Sequence, residues 1–170
     1  MTAAHNIGQI GANWQIDRVA DFDGDADQDI LLHSDAGGLR SLLVLEMNGG
    51  AIAAGHVIGR LGTDWQIDGA GDFDRDGDSD ILLHQDSGAT RNLLLFEMNG
   101  NALQAAHSFG AMGTDFQIGG IGDFDHDGDA DISVRHERAA ATEVTVLEVN
   151  NDAIVAAHNA VNLGLDFFLV

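Results

Sequence analysis

The chain repeats itself every 51 residues, and no position is inserted or lost between copies. Trp14, Trp65, Phe116 and Phe167 mark the register. His5, His56, His107 and His158 keep it, as do Glu46, Glu97 and Glu148, and Asn48, Asn99 and Asn150. A strict period of this length constrains the fold more than any other feature. Each copy has to be one supersecondary unit that buries its apolar face against the next copy. The 170 residues therefore read as one repeat domain, 1–170, with units at about 9–59, 60–110 and 111–161 and partial units at 1–8 and 162–170.

Inside a unit the signals favour strands. DWQIDGAGDF places an aromatic and an isoleucine two positions apart, and DILLHQ is a short apolar run. NLLLFEMNG is apolar up to an Asn-Gly pair that suits a hairpin turn, and ALQAAHSFG forms a softer fourth segment, low in β-propensity. A helical repeat would need longer periodic segments and fewer glycines. Four segments separated by turn chemistry predict an all-β fold of β-propeller-type blades, each of four antiparallel strands. Closed propellers have typically four to eight blades. Some three units thus predict an open stack, a piece of a larger propeller, or a ring completed by several chains. The segments Thr2–Ile7 and Asp166–Val170 read as a last strand and a first strand left at exposed edges, which favours self-association.

Between the first two segments of each unit lies a run of alternating aspartates: DFDGDADQD, DFDRDGDSD and DFDHDGDAD. These are Asp21, Asp23, Asp25, Asp27 and Asp29; Asp72, Asp74, Asp76, Asp78 and Asp80; and Asp123, Asp125, Asp127, Asp129 and Asp131. Like charges so close together need a counter-ion or water. Oxygens from positions one, three, five and nine can wrap a hard cation, with the position-seven carbonyl completing the shell. Glycine at position six permits the sharp turn (Gly77, Gly128), whereas Ala26 in the first loop strains it, so the first loop is expected to bind most weakly. The spacing is also that of an EF-hand opening. Position twelve, however, is Leu32, Leu83 or Val134 in an apolar run, where an EF-hand needs a bidentate Glu. The expectation is about three calcium ions per chain, one per loop, with magnesium a poorer fit because it keeps its water.

Composition narrows the partners. The formal charge is −21, and seven Arg supply all the positive charge. This argues against binding nucleic acid through phosphates, which requires clustered Lys and Arg. No apolar run approaches the length of about 20 residues that spans a bilayer, so membrane insertion is not expected. Without cysteine there are no disulfides or thiolate sites. No signal peptide is visible at the start.

The string WQIDGAGDFDRDGDSDILL, followed by LLLFEMNG, resembles the FG-GAP-like repeats of bacterial VCBS-type proteins. That resemblance covers nearly the whole chain. It implies a propeller of the integrin-head type with calcium held between the first two strands of a blade, in a secreted or surface protein. The implied roles are structural or adhesive, with a calcium-dependent lectin or an accessory domain of a larger secreted enzyme as alternatives. The chain departs from the pattern at Ala26 and at Val149-Asn150-Asn151, which replaces Met-Asn-Gly.

Other readings carry less. The repeated histidines read as strand-edge residues, since no ligand partner recurs beside them at metal spacing. His33 and His84 match each other, but the third unit has Arg135 there. Glu46, Glu97 and Glu148 could invite a glycosidase reading. Repetition, however, gives each unit the same carboxylate, not two with different environments. No catalytic motif appears, so no enzyme activity is expected. With no Tyr and only 6% aromatic residues, sugar platforms are scarce, and Trp14, Trp65 and Phe116 read as core.

Overall fold

The computed structural model describes residues 6–138 and 141–164. The marker residues His5 and Phe167 and the segments 2–5 and 166–170 lie outside the described residues, and Asn6 and Ile7 are not in a strand. Among the described residues, twelve strands form three four-stranded antiparallel sheets, one per unit. The first holds β1 (Trp14–Ala20), β2 (Asp29–Ala36), β3 (Leu39–Asn48) and β4 (Ala51–Gly62). The second holds β5 (Trp65–Gly71), β6 (Asp80–Ser87), β7 (Thr90–Asn99) and β8 (Ala102–Gly113). The third holds β9 (Phe116–Gly122), β10 (Asp131–Arg138), β11 (Ala141–Val149) and β12 (Ile154–Gly164). Strand order in each sheet is sequence order, as in a simple meander. The blade-like unit expected from the sequence is what forms.

The Ala-rich fourth segment becomes the longest strand, 12 residues in β4 and β8. Being outermost in its sheet, it pairs along one edge only and leaves most side chains exposed. It therefore needs backbone pairing more than propensity.

The core lies between units and not inside any one of them. Phe22, Leu31, Leu42 and Val44 of the first unit pack with Ile81, Leu83, Phe96 and Met98 of the second. Phe73, Leu82 and Leu95 leave the other face of the second sheet to meet Ile132, Val134 and Val149 of the third. The run Ile81-Leu82-Leu83 thus alternates between two cores, which is why it is apolar without a break. Each such side chain, fully buried, contributes about 1.5–3 kcal/mol. Trp65 and Phe116 are half-buried against these cores, so they are core-edge residues, and Phe116 stacks on His136 at 4.4 Å.

First strands approach closely across units. A Cβ on Gly71 would lie 2.8 Å from Ile121 and 2.9 Å from Ala130, so glycine makes room for the third unit there. Arginines add ties: Arg40 Nη1 donates to the Trp65 carbonyl at 2.7 Å, and Arg91 Nη1 to that of Phe116 at 2.9 Å.

Candidate metal centre

Each acidic loop leaves the first strand of its unit and ends as the second begins. The Asp at position nine opens that second strand and is fully buried (Asp29, Asp80) or nearly so (Asp131). Both of its oxygens are engaged. Asp80 Oδ2 accepts the Phe73 N–H at 2.9 Å and Oδ1 accepts the Met98 N–H at 2.8 Å. Asp29 does the same with Phe22 and Met47, and Asp131 with Phe124 and Val149. A carboxylate oxygen has two lone pairs, so these clamps remain able to ligate. At position one, Asp21, Asp72 and Asp123 accept the N–H of position six at 2.9, 3.1 and 3.2 Å, which closes the turn.

The fifteen aspartates divide by role. In the first two loops positions one, three and nine converge: Asp21, Asp23 and Asp29, then Asp72, Asp74 and Asp80, with ligand atoms within 4.8 Å of one another. The third loop brings together Asp123, Asp125 and Asp127 instead. Position five of all three loops, Asp25, Asp76 and Asp127, turns its Oδ1 to the N–H of position seven at 2.8, 2.9 and 2.9 Å. Position seven sends its side chain away from the loop. Asp27, Asp78 and Asp129 accept N–H groups of Gly49, Gly100 and Asn151 at 2.7, 2.6 and 3.1 Å, anchoring the turn before the fourth strand. Arg75 ties the third loop to the second by ion pairs to Asp127 (2.6 Å) and Asp129 (2.7 Å).

Backbone strain is spread differently from the expectation based on Ala26. Position six is left-handed in every loop (φ 74° at Ala26, 101° at Gly77, 102° at Gly128), and so is position four (69° at Gly24, 63° at Arg75, 67° at His126). Each loop therefore has one glycine and one non-glycine in that region. The first loop exchanges the two, and Ala26 alone gives no reason to rank it last.

The set fits a hard cation. All candidate ligands are oxygens. Buried Oδ1 atoms of Asp23 and Asp72 have no hydrogen-bond partner among the described residues, a costly state for a desolvated carboxylate. Burial pushes Asp80 up to about 8, and burial together with the charge of Asp76 and then Asp152 pushes Asp74 up to about 6. A bound divalent ion would reverse both shifts by stabilising the ionised forms.

Sequence reasoning missed three groupings. The histidines do have recurring partners. Nε2 of His56, His107 and His158 lies 2.8, 2.6 and 2.7 Å from Oε2 of Glu46, Glu97 and Glu148 across the third and fourth strands. The shared register of Glu and His was the signal, but pairing ten residues apart needs the hairpin. At the second unit Asp152 joins Glu97 and His107 to make a further set of possible metal ligands. The His–Asp contacts at His33–Asp17 (2.6 Å) and His84–Asp68 (2.8 Å) also form, and both partners are absent from the third unit, where Gly119 and Arg135 stand.

No protein family, curated protein or solved structure matches the chain.

Proposed function

We propose that this chain is a calcium-binding module of blade-like repeats, in which the ions rigidify a scaffold for adhesion or ligand binding outside the cell. The observation that carries the reading is the convergence of Asp21, Asp23 and Asp29, and of Asp72, Asp74 and Asp80, around buried carboxylate oxygens that lack a donor. Calcium suits them because it accepts many oxygen ligands in flexible geometry, whereas magnesium retains water. The likeness of the loop and its flanking strands to FG-GAP-like repeats supports the extracellular setting. Each repeated Glu is already bonded to a His, which favours a scaffold over paired-carboxylate catalysis. The terminal faces favour either self-association or continuation in a longer propeller. Ile16 and Val19 are 63% and 57% exposed, while Ile67 and Ala70 at the same positions of the second unit pack against the core.

The test is calorimetric titration of calcium into chelator-treated protein, with melting followed at pH 5 and pH 8. Uptake should raise Tm strongly, since one site at 100 times its Kd adds about 2.7 kcal/mol. The rise should be larger at pH 8. Raised carboxylate pKa values mean that the ion-free fold holds protons its unfolded chain releases. The contribution of these groups to ion-free stability is thus fully present below about pH 4 and is lost as pH rises through about 6 and about 8, the values for Asp74 and Asp80. Calcium takes the place of those protons. Absence of heat and of any Tm change at both pH values would sink the proposal.

A further inference from the structure

The turn between the third and fourth strands reaches into the neighbouring unit. Asn101 and Asp152, one period apart, follow that turn with positive φ (63° and 58°). Each gives its backbone N–H to the loop phenylalanine of the preceding unit: Asn101 to the Phe22 carbonyl at 3.1 Å, Asp152 to that of Phe73 at 3.2 Å. The Asn101 side chain then enters the first acidic group, where its Nδ2 donates to Asp23 Oδ2 at 2.8 Å. Asn101 is only 2% exposed, yet its Oδ1 has no partner among the described residues, and neither has Asp23 Oδ1. At the second loop the same pattern appears with a carboxylate. Oδ1 of Asp152 and Oδ1 of Asp72 are buried without partners, and Asp152 Oδ2 lies 3.9 Å from His107 Nε2. The charge of Asp152 is felt by both Asp74 and Asp80.

Four buried oxygens with no hydrogen-bond partner among the described residues therefore lie at the two places where one unit's loop meets the next unit's turn. A protein donor would be expected at such places if their purpose were packing alone. An oxygen-seeking cation is the partner that a carboxylate and an amide oxygen share. A half-turn of the Asn101 amide exchanges donor for acceptor without moving the backbone.

We propose that the cation site is shared between units: the loop supplies three carboxylates and the residue after the next unit's turn supplies a further side-chain oxygen, from Asn101 at the first loop and Asp152 at the second. This rests on the cation reading above and adds ligands to it. It also sets an order. With Asp152, which now groups with Glu97 and His107, turned to the loop, the second site would have four carboxylates, and the first has three and an amide. The third loop has no successor turn among the described residues. Phe124 is 51% exposed there where Phe22 and Phe73 are fully buried, and a concavity of about 420 Å³ opens beside it, lined by Asp125, Asp131, Glu148 and His158. Affinity thus falls from the second loop to the first.

The test is calcium titration of the full chain as wild type, Asn101→Ala, Asn101→Asp and Asp152→Asn, with circular dichroism in chelator to follow the fold. Asn101→Ala and Asp152→Asn should each weaken one site, and not the same one, by about 10–100-fold. Asn101→Asp should tighten the site that Asn101→Ala weakens. This gain does not depend on a disrupted fold, so it decides the matter if a loss-of-ligand variant melts. Wild-type binding constants in all three variants would overturn the shared site while leaving the cation reading intact. A wild type that takes up no calcium would remove both.

Discussion

Asp80 and Asp74 share a loop and differ in what they hold. Asp80 binds two buried backbone N–H groups from two different segments, so it ties the loop to the third strand whether or not an ion is present. Asp74 accepts only the N–H of Asp76, near the surface. In chelator, Asp80→Ala should cost about 2–6 kcal/mol, because two buried donors lose their acceptor at roughly 1–3 kcal/mol each. Asp74→Ala should cost less than about 1 kcal/mol in chelator, the worth of one exposed bond. Both should lose calcium at the second loop. Urea denaturation of the two variants with and without the ion would show this, and equal losses in chelator would contradict it. The same pair explains why the alternating aspartates looked uniform in the sequence. Spacing gave all fifteen as candidates, but it could not show that position seven sends its side chain to the turn before the fourth strand.

At the scale of elements, the strands were legible because apolar runs and turn chemistry alternate inside an undamaged period. DILL and LLLFEMN fall within β6 and β7. The two-sided burial of β6 was not legible, since an unbroken apolar run does not say which neighbour each face meets. Nor were Asn101 and Asp152, because the contact that matters for Asn101 joins residues 78 positions apart. Gly71 belongs to the same class: its role appears only where β5 meets β9. Gly71→Val should overpack that junction at a cost of about 1–3 kcal/mol. Gly59→Val, on β4 with open space around it, makes the control. Denaturant midpoints that moved together for both variants would mean the first strands have room to spare.

The described residues leave two outward faces that match the faces buried between units. The Phe124 face of the third unit corresponds to the faces of Phe22 and Phe73, and the Ile16 face of the first corresponds to that of Ile67. Such a pair makes a head-to-tail contact, which closes into a ring if the rotation permits. Light scattering in calcium should give a mass above that of one 17.9 kDa chain, and Phe124→Asp should return it to the monomer. A wild type that stays monomeric in calcium would rule out the contact. A site that straddles a junction is counted by junctions. An open row of units has one fewer junction than units, and a closed ring has as many junctions as units. If the site straddles the junction as proposed, joining the outward faces of two copies would complete a further ion site, so calcium would act as a template for that contact. The dissolved ion would then set the topology of the assembly as well as its stability.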